Sequence, residues 1–433
     1  MTPGARASAA IEVLTDIETR KRPASEALKD WGFNHRFAGS GDRAAIGNLV
    51  FDALRARASA AFAMGEDSAR AILLRTLVTS WGQTPQQVAA LADGSRFAPL
   101  PLTEAELQGL TRELPADAPA HIRGDYPEWL DPLMRQAFGQ RAAEEGTALA
   151  KRAPVDLRTN TLKSTREKVL KVLERFKPTP TPHSPLGLRI AQAPGARRSP
   201  HVEAEAAHGK GWFEVQDEGS QVAALLAGAQ PKQQVIDLCA GAGGKTLALA
   251  ASMGNSGQLY AYDSDRLRLR PIFERLKRAG ARNVQVLPGG DEAALAAYQD
   301  KMDLVLIDAP CTGSGVWRRR PDAKCRLKPE MLAMRLAEQR EALDQGASLV
   351  KPDGRLAYIT CSILPPENGG QVEAFLARHP EFKIVPWPEL WRSGLGTEPL
   401  DSADGSTDTL LMTPHSHGTD GFFVAVLERQ GTA

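Results

Sequence analysis

The chain has 433 residues, of which 42% are hydrophobic and 24% are charged, and its 53 basic residues almost balance its 52 acidic ones. This composition is typical of folded domains and excludes a mainly disordered or collagen-like chain. The sequence has no long apolar run and no signal-like segment after Met1, so we expect no membrane span and a cytoplasmic protein. Its four cysteines form no CxxC pair, which argues against a disulfide scaffold and against a metal site.

The first 125 residues are predicted to form an all-helical domain. Apolar residues recur at helical spacing, and an early example is the set Ile11, Leu14 and Ile17. Thr103 followed three positions later by Glu106 is typical of a capping box at a helix start. Strand patterns are rare in this part of the sequence, which favours helices packed on helices.

Residues 126–205 are predicted to form a small α+β module. The segment 155–162 alternates and is rich in Val, Leu and Thr, which indicates a strand. A helix is predicted over 164–176, and a Pro-rich loop follows it at 177–185.

Residues 206–433 are predicted to form an α/β domain with a doubly wound parallel sheet. Short apolar runs alternate there with helical stretches of ten or more residues, which is the pattern of repeated βαβ units. The predicted strands are 234–238, 258–262, 284–287, 302–307 and 355–360, with a last strand at 422–427. A long loop is predicted between Ser393 and Gly418.

A glycine-rich turn follows the first of these strands, in the sequence QVIDLCAGAGGKT at 234–246. A phosphate-binding P-loop would need glycine where Cys239 stands, and a dinucleotide loop would need glycine where Thr246 stands. The turn therefore favours a nucleoside ligand without pyrophosphate, such as S-adenosylmethionine, although a turn that only packs the sheet stays an alternative. Asp263 ends the next strand, where a carboxylate can accept both ribose hydroxyls.

Two cysteines directly follow strands of the predicted sheet. Cys311 comes after the strand that ends near Asp308, and Cys361 comes after the strand RLAYIT. Parallel strands end at one edge of the sheet, so both thiols are predicted beside the glycine turn. A cysteine at a strand end is often only a small packed side chain, and that alternative stays open.

Methylation of carbon 5 of cytosine needs a thiol beside a methyl donor. Carbon 5 is a poor nucleophile until a thiolate adds to carbon 6, and a base must later remove the proton from carbon 5. Nearby positive charge favours the thiolate, and Lys245 or the arginines at 318–320 could supply it. The spacing alone does not say which cysteine attacks.

A basic segment lies at residues 312–330, with six basic residues against two acidic ones, a local charge of +4. Such a run is more often a solvated loop than a nucleic-acid contact, and both interpretations stay open.

Several motifs resemble those of the RNA cytosine-5 methyltransferases of the RsmB/Nop/Sun family. They are LRTNTLK (157–163), FEVQDEGSQ (213–221), VIDLCAGAGGKT (235–246), DAPCTGSGVWRRRPD (308–322), YITCSILPPEN (358–368) and DGFF (420–423). The segments RKRPASEAL (20–28) and DRAAIGNLVFDALR (42–55) resemble a NusB-like RNA-binding domain.

The resemblance implies a Rossmann-like class I methyltransferase domain, preceded by the small α+β module and by the NusB-like domain. It further implies S-adenosylmethionine as the cofactor and RNA as the substrate, with 16S ribosomal RNA expected and a monomer that needs no metal. The alternatives are a tRNA or DNA target with the same chemistry, or a non-catalytic RNA-binding or ribosome-assembly factor.

The resemblance also implies roles for individual residues. Cys361 would be the nucleophile, Cys311 would assist product release, and Asp308 would contact the cytosine beside the cofactor. DNA cytosine-5 enzymes use a Pro-Cys thiol, and by that analogy Cys311 would attack instead. The acidic residue expected after the third strand is Asp291, with Gly290 aligned in the other register. The implied cofactor contacts are Cys239, Ala240, Gly241, Ala242, Gly243, Gly244, Lys245, Asp263, Asp291 and Asp308.

Overall fold

The computed structural model describes residues 1–193, 195–198 and 200–431. In chain order its α-helices are α1 (Pro3–Arg20), α2 (Ala24–Asn34), α3 (Ser40–Arg55), α4 (Arg57–Met64), α5 (Ala69–Thr79), α6 (Pro85–Leu91), α7 (Glu104–Thr111), α8 (Ala120–Arg123), α9 (Asp131–Phe138), α10 (Ala142–Leu149), α11 (Arg166–Val172), α12 (Ala206–Gly209), α13 (Glu218–Leu226), α14 (Gly244–Ser252), α15 (Arg266–Leu269), α16 (Ile272–Ala279), α17 (Pro321–Arg326), α18 (Pro329–Leu349), α19 (Gly369–Arg378), α20 (Trp387–Leu395) and α21 (Pro414–His417).

The strands are β1 (Val155–Thr159), β2 (Thr179–Pro180), β3 (Gly187–Ile190), β4 (Phe213–Val215), β5 (Gln234–Asp237), β6 (Gln258–Ala261), β7 (Val284–Val286), β8 (Met302–Asp308), β9 (Val350–Thr360), β10 (Phe382–Val385), β11 (Leu410–Met412) and β12 (Phe422–Arg429). Short 3₁₀ turns lie at Glu128–Leu130, Gly139–Arg141, Glu174–Phe176, Val202–Ala204, Glu292–Tyr298, Ser314–Val316 and Pro365–Glu367.

The chain folds into two compact units. The first, called the helical unit, comprises Met1–Ala153, Gln192–Ser199 and Trp317–Leu327. The second, called the sheet unit, comprises Pro154–Ala191, Pro200–Val316 and Lys328–Ala433. Within the described residues, no helix is both long and apolar enough to cross a membrane.

The helical unit buries one continuous apolar core between its helices. Leu14 and Ile17 of α1 lie in this core and Ile11 packs against it, so the predicted helical face is confirmed. The capping box at Thr103 and Glu106 is confirmed too, because each side chain binds the backbone N–H of the other residue. The N-terminal part of the chain is therefore helical, as predicted.

The basic segment is largely part of the helical unit rather than a solvated loop. Residues 317–327 include α17, which packs against α3. Arg318 and Lys324 are both only 5% exposed, whereas Arg320 is exposed. The Lys324 ammonium donates to the backbone oxygen of Arg55 at 2.7 Å and to that of Asp125. Lys324 and Arg318 are buried within the helical unit, so the interpretation of this segment as a solvated loop is wrong for these two residues.

The large sheet of the sheet unit has the strand order β10-β12-β9-β8-β5-β6-β7, and β11 pairs with β12. Strands β5 to β9 pair in parallel, which confirms the predicted α/β arrangement. Strands β10, β11 and β12 pair antiparallel. The predicted loop between Ser393 and Gly418 is wrong in part, because it contains β11 and α21 and because α20 extends to Leu395.

A smaller antiparallel sheet has the order β2-β3-β1-β4. Its strand β4 lies beyond residue 205, and α9 and α10 lie in the helical unit, so the module predicted at 126–205 contributes to both units. Asn160 donates to the backbone oxygen of Ala279 at 2.7 Å, and Glu214 pairs with Arg278 at 2.6 Å. These contacts join the small sheet to α16 inside the sheet unit.

Candidate active site

A tight glycine turn connects β5 to α14. Gly241 and Gly243 have φ angles of +51° and +85°, a region that side chains other than glycine rarely adopt. A Cβ on Gly243 would lie 2.6 Å from the Cγ1 atom of Ile272. The turn is further held by the N–H of Gly241, which donates to the Asp263 carboxylate at 2.8 Å.

Asp263 lies at the end of β6, as predicted, and is only 1% exposed. One carboxylate oxygen accepts from Gly241, and the other accepts from the N–H of Asp265 at 2.9 Å. The guanidinium of Arg268 lies 3.7 Å from the same carboxylate. An ionised carboxylate has about four acceptor positions, so Asp263 can hold the turn and still accept from a ligand.

Asp237, the last residue of β5, is a site residue that our sequence reasoning missed. Burial raises the pKa of its carboxyl to about 7, although the hydroxyl of Thr246 donates to one oxygen at 2.6 Å. The other oxygen, Oδ1, is buried and has no hydrogen-bond partner among the described residues. The sequence signal was its place inside the quoted motif, directly at a strand end before the glycines.

Lys245, in the first turn of α14, forms an ion pair with Asp308 at 2.7 Å. The lysine is 5% exposed and the Asp308 side chain is 36% exposed, so the pair lies at the boundary between protein and solvent. The same ammonium lies 5.0 Å from the centre of the Phe422 ring. Three predicted motifs thus meet at one place, since Phe422 belongs to the DGFF segment.

The remaining residues of the glycine turn shape it mainly through their backbone groups. Burial raises the pKa of the Cys239 thiol strongly, which keeps it protonated and unreactive. Ala240 donates its N–H to the backbone oxygen of Tyr262 at 2.8 Å, and Ala242 is exposed. Gly244 begins α14, whose first N–H groups have no partner within the helix.

The two cysteines at the ends of β8 and β9 lie in contact. The Sγ atoms of Cys311 and Cys361 are 3.3 Å apart, which confirms the prediction that both thiols meet at one edge of the sheet. This distance is well above the roughly 2.05 Å of a disulfide, so both are free thiols. Both side chains are half-buried.

The hydrogen bond between the two sulfur atoms, together with burial, raises the pKa of Cys311 well above its usual range. Cys311 is therefore a protonated thiol that can donate to the sulfur of Cys361. A thiol in that state is a poor nucleophile.

Glu367 is a second residue that sequence reasoning missed, although it lies in the quoted segment YITCSILPPEN. Its carboxylate is fully buried and accepts hydrogen bonds from Thr312, Ser362 and Gln339. Thr312 and Ser362 are the residues that follow the two cysteines. The signal in the sequence was an acidic residue six positions after Cys361, on a segment rich in proline.

Asp291 lies after β7, where the acidic residue was expected. It is exposed, and its carboxylate accepts from the N–H of Ala293 at 3.1 Å, as a cap on the following turn. The N–H of Gly290 instead donates to the backbone oxygen of Asp263 at 3.2 Å. Lys245 is the cation that pairs with Asp308 within the sheet unit, and the arginines at 318–320 belong to the helical unit.

Metal ligands are not grouped in the described part of the chain: no three His, Cys, Asp or Glu side chains are placed to hold an ion. A mostly parallel sheet, with a glycine turn after β5 and an acidic residue after β6, defines the Rossmann-like class of S-adenosylmethionine-dependent methyltransferases.

Comparison with known proteins identifies the family. The family model described as "16S rRNA methyltransferase RsmB/F" matches residues 223–428, and a "Methyltr_RsmF/B-like, ferredoxin-like domain" model matches residues 126–196. The chain therefore belongs to the RsmB/F family of ribosomal RNA methyltransferases, which confirms the resemblance seen in the motifs.

The alignments with similar proteins cover most of the chain. "Probable ribosomal RNA small subunit methyltransferase B" of Synechocystis sp. is 33% identical over 70% of this chain and 67% of its own length. "Ribosomal RNA small subunit methyltransferase B" of Vibrio cholerae is 33% identical over 76% of this chain and 72% of its own. The crystal structure of PH0851 has a TM-score of 0.74, is 26% identical and covers 99% of both chains.

Proposed function

We propose that this protein transfers a methyl group from S-adenosylmethionine to carbon 5 of a cytosine in 16S ribosomal RNA, through a covalent adduct with Cys361. The observation that carries this proposal is the 3.3 Å contact between the Cys311 and Cys361 sulfur atoms beside the glycine turn. A methyltransferase that acted on an already nucleophilic atom would need neither thiol. We further propose that it acts in the cytoplasm as a monomer and that the helical unit is a NusB-like RNA-binding domain.

The residues around the glycine turn fit S-adenosylmethionine. Asp237 Oδ1 is a buried acceptor without a partner among the described residues, which suits the ammonium group of the amino-acid end. Gly243 keeps the turn tight, because a Cβ there would meet Ile272, and Asp263 retains acceptor positions for ribose hydroxyls. When bound, the cofactor supplies an electrophilic methyl group. Contacts from Asp291 or from the backbone of Gly290 belong to the same proposal.

The two thiols have separate tasks in this proposal. Cys361 attacks carbon 6 of the cytosine as a thiolate, which makes carbon 5 nucleophilic. Cys311 stays protonated and donates a hydrogen bond to the Cys361 sulfur. That hydrogen bond stabilises the negative charge on Cys361, both before attack and when the carbon–sulfur bond breaks after the carbon 5 proton has left. The resemblance of the segment YITCSILPPEN to the family's motif supports Cys361 as the nucleophile, and a protonated Cys311 agrees with that assignment.

Asp308 and Lys245 orient the base and the charge around it. The half-exposed carboxylate of Asp308 can accept a hydrogen bond from the exocyclic amino group of cytosine. Lys245 holds that carboxylate at 2.7 Å and is itself fixed between Asp308 and the Phe422 ring. A base inside an RNA helix must be flipped out to reach these groups.

Substitution of each cysteine tests the proposal. Cys361→Ala should abolish transfer of labelled methyl to 16S ribosomal RNA while binding of S-adenosylmethionine in equilibrium dialysis is retained. Cys325→Ala, at an exposed cysteine of the helical unit, is the matched control and should keep full activity. Normal methylation by the Cys361 variant would refute the nucleophile assignment.

The Cys311→Ala variant separates attack from release. We expect it to accumulate a protein–RNA adduct that survives denaturing electrophoresis, because Cys361 leaves carbon 6 slowly without its hydrogen-bond donor. Bisulfite sequencing of total RNA with and without the gene then identifies the modified cytosine. A missing adduct would remove Cys311 from the release step, and a change in tRNA alone would redirect the substrate.

A further inference from the structure

The Glu367 carboxylate lies at the centre of a buried hydrogen-bond cluster. One oxygen accepts from the N–H of Thr312 at 2.8 Å and from the side-chain amide of Gln339 at 3.0 Å. The other oxygen accepts from the hydroxyl of Thr312 at 2.5 Å and from the hydroxyl of Ser362. These four donors fill the acceptor positions of an ionised carboxylate, and hydrogen bonds to a charged acceptor are stronger than neutral ones.

The partners of Glu367 come from the two segments that carry the thiols. Thr312 directly follows Cys311, and Ser362 directly follows Cys361. Gln339, on α18, also donates to the backbone oxygen of Pro310 at 2.9 Å, so the residues on both sides of Cys311 are tied to one cluster. Glu367 therefore bridges the end of β8 to the end of β9.

We propose that Glu367 is the positioning residue that sets the distance between the Cys311 and Cys361 sulfur atoms; this inference rests on the proposed function. Glu367 forms no hydrogen bond to either thiol in the described structure, so it acts through Thr312 and Ser362. The two sulfur atoms belong to separate segments, which are also joined by the N–H of Gly315 donating to the backbone oxygen of Cys361 at 2.9 Å. Glu367 adds the side-chain link between Thr312 and Ser362, the residues next to the two thiols that lie 3.3 Å apart. A misplacement of about 1 Å at reacting atoms can cost on the order of 100-fold in rate.

The charge of Glu367 has a second effect on the pair. After the hydrogen bond to the Cys361 sulfur, burial and the charge of Cys361, the negative charge of Glu367 is a further cause that raises the pKa of Cys311. The same carboxylate thus places Cys311 against Cys361 and favours its protonated form.

Glu367→Gln is the most specific variant, because it keeps the size of the side chain but replaces one acceptor oxygen with a donor group. That amide group would face two existing donors, and two of the four hydrogen bonds would be lost. Glu218→Gln is the matched control, since Glu218 is also fully buried and accepts from the N–H groups of His183 and Ser184 at 2.6 and 2.8 Å. Glu218 lies in the same unit but has no contact with the cysteine segments among the hydrogen bonds described for it.

The first readout is the spacing of the thiols, measured without catalysis. Phenylarsine oxide condenses with two neighbouring thiols, forming two As–S bonds and releasing one water, and its tight binding requires both sulfur atoms within bridging distance. We expect one reagent per wild-type protein, with affinity lost in Cys361→Ala. The Glu367→Gln variant should bind at least about tenfold more weakly, and Glu218→Gln should bind as the wild type does.

The second readout is the split between kcat and KM. Glu367→Gln should lower kcat about 10- to 100-fold and leave KM for RNA unchanged, because the RNA surface is intact. Thr312→Val removes the hydroxyl that donates to Glu367 but keeps the shape of the side chain, so its kcat should lie between those of the wild type and Glu367→Gln. Thr312→Ser keeps the hydroxyl and should keep the wild-type kcat.

Wild-type arsenical affinity and kcat in Glu367→Gln would overturn the inference, and so would equal losses in Glu367→Gln and Glu218→Gln. If Glu367→Gln does not fold, Thr312→Val decides, and an unchanged spacing and rate in that variant would overturn it. Failure of the proposed function would give a different result. Cys361→Ala would stay active in methyl transfer, while Glu367→Gln would still bind phenylarsine oxide more weakly than the wild type.

Discussion

Asp237 offers the clearest link between a buried charge, stability and pH. Its carboxyl has a pKa of about 7 in the folded protein against an ordinary value of 3.8, chiefly because burial disfavours the charged form. The nearby charge of Asp308 acts in the same direction, whereas the hydroxyl of Thr246 and the charge of Lys245 oppose it. We predict that Asp237→Asn removes a pH-dependent destabilisation.

The sign and size follow from proton linkage. Between pH 4 and pH 7 the folded protein holds a proton on Asp237 that the unfolded chain has released, so the free energy of unfolding falls as pH rises and levels off above pH 7. At about 1.4 kcal/mol per pH unit, the loss is about 2 kcal/mol at pH 5 and about 4 kcal/mol at pH 8. Asparagine is neutral throughout, so its advantage over aspartate should grow by about 3 kcal/mol between these two pH values.

The assay is urea unfolding of the cofactor-free protein at pH 5, 6, 7 and 8, followed by circular dichroism. Asp353→Asn, at an acidic residue that is exposed in the same unit, is the control and should show no such growth. An Asp237→Asn advantage that is constant with pH would refute the reasoning, because it would mean that burial does not perturb this carboxyl. At pH 8, where the Asp237 carboxyl is ionised, the same variant should bind S-adenosylmethionine at least about tenfold more weakly, since the ammonium group of the cofactor loses a charged acceptor.

Two further variants test packing. Gly243→Ala should lower the free energy of unfolding by about 2–3 kcal/mol, because a side chain at φ +85° is strained and its Cβ meets Ile272; unchanged urea unfolding would contradict the tight turn. Lys324→Met should destabilise the protein by about 2–4 kcal/mol, because the backbone oxygens of Arg55 and Asp125 lose a buried donor. The variant should leave the salt dependence of RNA binding unchanged. A changed salt dependence would make Lys324 an RNA contact instead.

The parallel core of the fold was predictable because its strands are buried on both faces and read as continuous apolar runs. The ends of β5, β6 and β8 match the predicted segments to within one residue, whereas β9 begins five residues earlier than predicted. Strands β10 and β11 were missed, since each has only three or four residues and exists through pairing with β12. A local pattern of that length does not distinguish a strand from a loop, and tertiary pairing decides.

The candidate site was predictable where chemistry and position coincide. Cys311 and Cys361 each follow a parallel strand, so topology alone brings them together. Glu367 and Asp237 were not found, because their importance depends on burial and on partners from distant segments. Lys324 shows the opposite error: a basic run suggests an exposed surface, yet its ammonium is buried on backbone oxygens.

The return of residues 317–327 to the helical unit has a consequence for synthesis on the ribosome. A nascent chain that has emerged only as far as Ala153 still lacks α17 and the Lys324 side chain that this unit encloses. The helical unit therefore cannot reach its final packing until Leu327 has left the exit tunnel, by which time most of the parallel strands have also emerged. Folding of the two units is therefore coupled in time, and a fragment that ends at Ala153 would lack part of the packing of the helical unit.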